Sequence, residues 1–293
     1  MDDSPSEPLT QTLTPPPPRL DARRVRRAIS RVTSGDPSTL PLLPQVSRLL
    51  VERLEEIRLE PARILELGCR SGTTPALLHA RYPKATLISG AFTTPLPPRP
   101  ESGSLFWRRP LPGLVLESHR LPFATGCFDL VVSSLALHWW GALLPSLREI
   151  RRVMADNALL LFTVPGSETL RELNQALTSH DTARGGRVWP RIAAFPDLDE
   201  LGRMMQGAGL SLVVVDREKI TPTVPSVRDL ALLLRRLGAG NHHHLRPSGL
   251  SGSAWFNRME RHYRLQAGLD ERQALPVTID ILFGHGWKNP TKS

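Results

Sequence analysis

Apolar runs of strand length alternate with helically spaced apolar residues between positions 60 and 165. Such runs occur at residues 64–67, 85–88 and 130–133, and a continuous apolar run spans residues 158–164. The last run is typical of a strand that is buried on both faces of a sheet. The segments between the runs follow the 3.6-residue period of a helix. This alternation predicts an α/β fold with an open, doubly wound sheet.

The pattern loosens after residue 166, where a helix is predicted at residues 168–177. Two late strands are predicted at residues 210–215 and 276–283. Two further amphipathic helices are predicted between these strands, at residues 227–237 and 254–266. This order predicts a C-terminal helical cap that is inserted before the last strand of the sheet.

We therefore expect three parts along the chain. Residues 1–19 form a proline-rich N-terminal tail, which we expect to be disordered because its run of prolines is incompatible with a packed helix or a central strand. Residues 20–165 form the α/β domain with its N-terminal helices. Residues 166–293 form a C-terminal part with the late strands and the cap.

One strand, turn and helix stand out as a candidate ligand site. Glu66 ends the first strand, Gly68 and Gly72 bracket the turn, and a helix is predicted at residues 73–81. This arrangement brings backbone N–H groups and a helix N-terminus up to a nucleotide-like ligand. The Glu66 carboxylate could accept hydrogen bonds from hydroxyl or ammonium groups of such a ligand. The alternative is a tight turn that binds nothing.

Composition narrows the class of protein. The chain has 293 residues, of which 40% are hydrophobic, and no apolar run reaches the roughly 18 residues of a membrane span. We find no secretory signal, and Cys69 and Cys127 lack metal-ligand spacing, so a reduced, cytoplasmic protein without a metal is expected. The net charge of +9 comes from scattered arginines, which favours an acidic protein partner or a small anion over nucleic acid. An arginine-rich coding bias without functional meaning is the alternative.

Several basic and aromatic groups have two interpretations. The basic amphipathic helix predicted at residues 20–32 is either a solvated flap or a grip for an anionic partner. We expect a solvated helix face for Arg148, Arg151 and Arg152, with docking of an acidic protein as the alternative. For the histidines at 242–244 we expect a solvated loop, with metal binding as the alternative. Trp139 and Trp140 are expected to pack in the core.

Four elements in order resemble the class I S-adenosylmethionine (SAM) methyltransferases: residues 66–72, Glu117, residues 121–131, and the strand that follows residues 152–154. The resemblance implies SAM as methyl donor, bound by residues 20–165. The implied SAM-binding residues are Glu66, Gly68, Cys69, Gly72, Glu117, Ser118, Ser134 and Leu135. Of these, the first turn would hold the methionine part, Glu117 the adenine amino group, and Ser134 with Leu135 the floor beside the sulfonium.

A finer resemblance, over about residues 20–288, is to the malonyl-[acyl-carrier protein] O-methyltransferases of biotin synthesis. The segments that carry it are residues 21–31, 133–139, 237–241, 249–252 and 275–287. It implies methyl transfer from SAM to the free carboxylate of malonyl-acyl carrier protein or malonyl-CoA, in the pimeloyl branch of biotin biosynthesis. The implied partner is an acidic acyl carrier protein, with no nucleic acid or membrane, and the enzyme is expected to be a monomer.

The acceptor of this reaction is a carboxylate, which is already ionised near pH 7, so no general base is needed. The protein has to align two reactants and exclude water. Candidates for orienting the substrate are His138, Arg228, Arg235 and Arg236. For His138 the alternative is a hydrogen-bonded histidine at the start of a helix.

The sequence also departs from the family. Arg70 stands where the family has glycine, residues 86–99 contain no acid for the SAM ribose, and Gly35-Asp36 replaces a Tyr-Asp pair. These departures motivate a second hypothesis, a non-catalytic SAM-fold protein that acts as an assembly factor through protein contacts. The hydroxylase-type assembly factors of respiratory complex I share much of the pattern.

Overall fold

The computed structural model describes residues 20–30, 42–68, 72–91, 113–115, 120–183, 185–186, 188–243, 246 and 252–290. The proline-rich tail, three predicted SAM-binding residues (Cys69, Glu117 and Ser118) and the divergent Arg70 lie outside the described residues.

Seven described strands form one sheet: β1 (Arg63–Leu67), β2 (Thr86–Ala91), β3 (Gly113–Val115), β4 (Phe128–Ser133), β5 (Met154–Pro165), β6 (Ser211–Ile220) and β9 (Ile279–Trp287). Their order in the sheet is β3-β2-β1-β4-β5-β9-β6. The first five strands pair in parallel, whereas β9 runs antiparallel between β5 and β6. The carboxyl ends of β1, β4 and β5 therefore meet at one edge of the sheet, where open α/β folds bind their ligands.

Helices cover both faces of this sheet, which confirms the predicted doubly wound fold. They are α1 (Ala22–Ser30), α2 (Leu42–Glu52), α3 (Thr73–Arg81), α4 (Leu143–Val153), α5 (Arg171–Ala183), α6 (Leu198–Gly207), α7 (Val227–Arg236) and α8 (Ser253–Ala267). Alternate strand residues enter different cores: Leu65 packs with α1, α4 and α6, and Ile64 packs with α2 and α3. Within the described ranges, no helix combines the length and apolarity of a membrane span.

The cap predicted before the last strand is present. Helices α7 and α8 lie in the chain between β6 and β9, together with a small ribbon of β7 (Thr223–Val224) and β8 (Leu275–Pro276). Their buried side chains form a third apolar cluster with α5, which includes Leu177, Leu230 and Met259.

The last strand differs from its predicted position. β9 continues to Trp287, whereas Pro276 belongs to the small ribbon. Because glycines are depleted in strands, the presence of Gly284 and Gly286 argued against a strand at these positions in the sequence. The structure explains Gly284, because a β-carbon there would lie 2.8 Å from the Phe162 ring and 3.0 Å from the Met205 sulfur.

The arginines of α4 correct another expectation, since they bind backbone carbonyls instead of forming a merely solvated face. Arg152 pairs with Glu149 and donates to the carbonyl oxygens of Leu121 and Phe123. Arg151 donates to Gly209 at 2.8 Å, and Arg148 donates to Gly207 at 3.3 Å. These two carbonyls lie at the C-terminal end of α6, where helices leave acceptors unpaired. The α4 arginines therefore tie this helix to its neighbours.

We predict that Gly284→Ala destabilises the protein by about 1–3 kcal/mol, because the added methyl group overpacks the site between β5 and α6. Adding Phe162→Leu should recover part of the loss, so that the two substitutions are non-additive. Urea denaturation of the single and double variants measures this coupling.

Gly202→Ala in α6 is the matched control, because its β-carbon would meet Val215 at an ordinary 4.0 Å. It should leave stability unchanged or raise it, since alanine favours helices. A loss at Gly202 as large as at Gly284, or strict additivity with Phe162→Leu, would contradict the packing argument.

Candidate functional site

Two adjoining hollows lie at the carboxyl edge of the parallel strands. The smaller one is lined by Leu43, Ser47, Glu66, Gly68, Gly72, Thr74, Pro75 and Ser134, and we call it the polar hollow. The larger one has a volume of about 350 Å³, lies between the sheet and the cap, and is called the cap cavity below. Leu43 contributes to both, and Ser134 of the polar hollow is followed in the chain by Leu135 of the cap cavity.

Glu66 is the ionisable group of the polar hollow. It is 1% exposed, and its Oε2 atom has no hydrogen-bond partner among the described residues. Burial raises the pKa of this carboxyl to about 8. A buried acceptor without a partner is costly to the fold, so it points to a ligand that supplies a donor or a positive charge.

Three hydroxyl groups line the other side of the polar hollow. Thr74 donates to Ser47 at 2.9 Å, and Ser47 donates to Ser134 at 3.2 Å. These residues come from α3, α2 and the turn after β4, so the contact joins three elements that are distant in sequence. A polar ligand here would meet hydroxyl groups on one side and a carboxyl on the other.

The glycines of the first turn are required by the backbone. Gly68 has a φ of 102° and Gly72 a φ of 72°, both in the left-handed region that favours glycine. A β-carbon at Gly68 would lie 2.0 Å from the β-carbon of Ala136. Gly68 therefore allows the turn after β1 to approach the turn after β4, in addition to the space it leaves for a ligand.

Leu135 separates the two hollows. Its φ is 45°, which is rare for a residue with a β-carbon, and its backbone N–H donates to Thr163 Oγ1 at 2.9 Å. Such strained residues cluster at binding sites, where surrounding contacts hold them in place. Here the bond to β5 supports a backbone that directs Ser134 into the polar hollow and Leu135 into the cap cavity.

The cap cavity is lined mainly by apolar side chains from the cap, among them Leu230, Leu234 and Phe256. Its volume falls within the roughly 300–1,000 Å³ of pockets that bury a small organic ligand. An apolar wall lowers the local dielectric constant, which strengthens the effect of any charged group that enters.

Arg191 provides a cation in this wall. Its side chain is 15% exposed and forms a bidentate pair with Asp181 of α5, in which the bond from Nη2 to Oδ1 measures 3.0 Å. Burial would raise the pKa of Asp181, but Arg191 and the Trp189 backbone N–H outweigh it and hold that pKa below its usual value. Asp181 is therefore ionised at neutral pH.

Sequence reasoning missed this pair. Arg191 lies in an irregular segment without periodicity, and the helix was predicted to end at residue 177, whereas α5 continues to Ala183. An acid in the last turn of a helix opposes the helix dipole. Had the end of α5 been known, the unfavourable position of Asp181 in its last turn would have indicated that this acid needs a cationic partner.

The four predicted substrate-orienting residues have different positions. His138 lines the cap cavity, with its ring centroid 4.4 Å from Trp139 and 6.0 Å from Phe195. Arg228, Arg235 and Arg236 do not line it. Arg228 lies over the Phe256 ring at 5.1 Å and bonds to Ser253, so it joins α7 to α8. Arg235 and Arg236 are exposed in the last turn of α7.

The loop that follows α7 is also corrected. His242 and His243 are only 9% and 8% exposed, in contrast to the solvated loop that we predicted. His242 contacts the Gly238 carbonyl at 2.8 Å through Nε2, and both rings line the cap cavity. Trp139 and Trp140 are buried in the core, as predicted. In the described part of the chain, no group of three or more potential ligands could hold a metal ion.

Comparison with known proteins gives the family. A family model for a methyltransferase domain matches residues 43–215, more than half of the chain. The chain is 31% identical over 275 residues to the malonyl-[acyl-carrier protein] O-methyltransferase of Gallionella capsiferriformans, covering 92% of this chain and 91% of the relative. It is 34% identical to the enzyme of the same name from Halorhodospira halophila, covering 92% and 88%.

Solved structures support the fold. The YcgJ protein of Bacillus subtilis matches with a TM-score of 0.55 at 15% identity, over 84% of this chain and 99% of that one. A phosphoethanolamine N-methyltransferase 2 of Haemonchus contortus, solved with S-adenosylhomocysteine, matches with a TM-score of 0.52 at 11% identity, over 91% and 60%. The curated relatives cover more than the methyltransferase domain, since a match to 92% of the chain also includes residues of the cap. The chain belongs to the malonyl-[acyl-carrier protein] O-methyltransferase family.

Proposed function

We propose that this protein transfers the methyl group of SAM to the free carboxylate of a malonyl thioester, carried on an acyl carrier protein or on CoA. This reaction belongs to the pimeloyl branch of biotin biosynthesis. The observation that carries the proposal is the buried Glu66 carboxyl, whose unpartnered oxygen lies in a polar hollow beside a water-excluding cavity.

The residues of the polar hollow fit the methionine end of SAM. Glu66 would accept hydrogen bonds from the ammonium group, and the turn between Gly68 and Gly72 allows close approach of the backbone. Ser134 and Leu135 mark the boundary with the cap cavity, where we place the sulfonium. Cys69, Glu117 and Ser118 remain proposed contacts. When bound, SAM supplies an electrophilic methyl group.

The cap cavity would receive the substrate carboxylate. A carboxylate near pH 7 has no proton to lose, so the residues around it need only to hold it and to keep water out. We propose that Arg191, in the described wall of the cavity, binds this carboxylate, because guanidinium groups bind carboxylates bidentately. His138 lies in the same wall and would restrict the orientation of the substrate.

Because Arg191 is paired with Asp181, its electrostatic attraction for the substrate carboxylate is only moderate. The carboxylate loses its negative charge as it is methylated. An unpaired arginine would therefore stabilise the substrate more than the transition state, which lowers the turnover rate. Asp181 already neutralises part of this charge, so Arg191 can orient the carboxylate without holding it too strongly.

The alternative is a non-catalytic SAM-fold protein. Its support is Ser89, which stands near the expected place of the ribose-binding acid and offers a buried hydroxyl instead of a carboxylate. The unpartnered Glu66 carboxyl in the polar hollow and the named function of the relatives favour the enzyme.

The direct test incubates the purified protein with SAM and malonyl-acyl carrier protein, and detects the methyl ester by mass spectrometry. We expect ester formation, and rescue of a biotin auxotroph that lacks this methyltransferase. Absence of SAM binding in calorimetry, together with no rescue, would leave the non-catalytic hypothesis.

We predict that SAM binding depends on the protonation of Glu66. An ammonium ligand favours the carboxylate form, and the pKa of this carboxyl is about 8 without ligand. Affinity should therefore rise about tenfold between pH 6 and pH 7, a range in which the ligand amine stays protonated. Calorimetry in two buffers of different ionisation enthalpy should also detect proton release on binding.

Glu66→Gln is the matched control because it keeps the shape of the side chain and cannot ionise. Its affinity should be lower and independent of pH between 6 and 7. A wild-type affinity that is equally independent of pH would contradict the role of Glu66.

The ligand-free protein provides a separate prediction for the same residue. The folded pKa of Glu66, about 8, exceeds the ordinary value of 4.5, so folding favours the protonated carboxyl and its ionisation lowers the free energy of unfolding. The contribution of Glu66 to the free energy of unfolding is therefore highest below pH 4.5, and it is lost progressively as the pH rises towards 8. The melting temperature of Glu66→Gln should exceed that of the wild type increasingly from pH 5 to pH 8, as measured by calorimetry.

We predict opposite kinetic effects for the two members of the cavity ion pair. Asp181→Asn removes the partner of Arg191, so KM for the malonyl substrate should fall and kcat should fall with it. Replacing both residues, Arg191→Gln with Asp181→Asn, removes the cation without leaving a buried charge unpaired. This double variant should raise KM about tenfold or more, the equivalent of one charge-assisted hydrogen bond.

Steady-state kinetics and thermal melting of both variants separate the binding role from a structural one. If the pair only anchored the segment before α6, both variants would lose stability and their KM values would change in the same direction.

A further inference from the structure

Helix α1 has one buried face and one strongly basic face. Val25 and Ile29 are 0% and 7% exposed, and they pack in the core with α4 and α6. Arg23 and Arg27, four residues apart and thus on one side of the helix, are exposed on the other face. Arg24 and Arg26 are exposed as well, and the helix itself contains no acid.

This charge distribution does not serve the stability of the helix. Cations near a helix N-terminus oppose the helix dipole, and α1 has only nine residues. Asp21, just before the helix, offsets part of the cost by accepting the backbone N–H groups of Arg23 and Arg24 and by pairing with the Arg24 side chain at 2.9 Å. The remaining positive charge faces solvent and suggests a partner.

The basic face lies beside the cap cavity. Leu20 lines the cavity and forms a β-bridge with His243, and the Asp21 N–H donates to the His242 carbonyl at 2.9 Å. The start of α1 is thus joined to the segment that follows α7 and lines the same cavity. Arg235 and Arg236 are exposed immediately before that segment.

The opposite edge of the sheet carries mixed charges. Arg58 and Lys84 are exposed there, ahead of β1 and β2, and the exposed Glu55, Glu56 and Glu60 surround Arg58 in the sequence. The arginines of α4 are engaged with backbone carbonyls, as described above. Exposed arginines also occur on other described elements, such as Arg203 of α6 and Arg258 of α8. The basic face of α1 is distinguished by the absence of acids within the helix and by its junction with the segment that lines the cap cavity.

We propose that the exposed arginines of α1, together with Arg235 and Arg236, form the docking surface for an acidic carrier domain. The thioester arm of that domain enters the cap cavity beside Leu20 and His243. This inference rests on the proposed function, and it adds where the protein partner binds. Complementary charge of this kind accelerates association and is weakened by salt.

The chemistry of the surface favours a protein over the other anionic partners. The apolar residues of α1 are already buried in the core, so none remains to insert into a membrane as interfacial helices do. The helix also carries no aromatic side chain on which a nucleic-acid base could stack. An acidic protein needs neither feature.

The experiment compares two malonyl thioesters. One is malonyl attached to an acidic acyl carrier protein, and the other is malonyl-pantetheine, which lacks both the protein and the phosphates of CoA. The variants are Arg23→Glu with Arg27→Glu, Arg235→Glu with Arg236→Glu, and the control Arg58→Glu with Lys84→Glu, which changes charge equally at the other edge. Steady-state kinetics is measured at low and high salt.

We expect the α1 double variant to raise KM for the carrier-bound substrate about tenfold or more at low salt, in line with the known size of electrostatic steering. Its kinetics with malonyl-pantetheine should match the wild type. The Arg235/Arg236 variant should raise the carrier KM as well, and the control should not. Arg23→Gln with Arg27→Gln should give an intermediate loss, and melting temperatures confirm that each variant folds.

The proposal is overturned if the α1 variant slows the methylation of both thioesters equally. It is also overturned if the Arg58/Lys84 control loses as much activity with the carrier-bound substrate as the α1 variant does. It is also overturned if the α1 substitutions abolish binding to anionic vesicles or single-stranded DNA while carrier turnover stays intact. Failure of the proposed function is a different result, namely no ester from either thioester with the wild type. In that case, titration of the carrier protein against the same variants still decides the docking surface.

Discussion

The close approach of Gly68 to Ala136 is the constraint on which the site depends. Because Gly68 has no β-carbon, the turn after β1 can lie against the turn after β4, where any side chain would collide with Ala136. The Ser133 hydroxyl reinforces this contact by donating to the Leu67 carbonyl at 2.8 Å. The two turns then form a common wall, with the polar hollow on one side and the cap cavity on the other. In the function we propose, this arrangement would place the methyl donor next to its acceptor.

The charges of the two hollows suit a reaction between a cation and an anion. Glu66 carries no opposing cation among its described contacts, so its carboxyl remains available for a positively charged ligand. Arg191 carries a partner of its own and therefore attracts an anion only moderately. A reaction that consumes both charges profits from such a site, since tight binding of the reactants alone does not lower the barrier.

The cap connects this chemistry to the outside of the protein. Its helices supply the apolar wall that excludes water, and the segment after α7 is bonded to the start of α1. The same junction carries the basic surface that we propose for carrier docking. Entry of the substrate and docking of its carrier would then involve one part of the molecule, which explains why the N-terminal helix packs beside a cavity built mainly from the C-terminal half.

Local sequence patterns were sufficient to predict the α/β fold, the glycine turn with Glu66, and the inserted cap. Each of these depends on short-range features: apolar periodicity, a residue without a β-carbon, and the order of elements along the chain. For the same reason, the resemblance of residues 66–72 and 121–131 to a methyltransferase could be recognised without coordinates.

Contacts between distant segments lay beyond such reasoning. The position of Arg191 in the cavity wall was not predicted, and the arginines of α7 do not line that cavity. The amphipathic pattern of a helix does not reveal which face meets a cavity. The arginines of α4 were expected in solvent, yet Arg148 and Arg151 bind carbonyls 59 and 58 residues away, and Arg152 binds carbonyls 29 and 31 residues away. His242 and His243 were likewise expected in solvent but are buried. A side chain's partner depends on where the folded backbone places carbonyls and apolar walls, and that placement is a property of the whole packed chain.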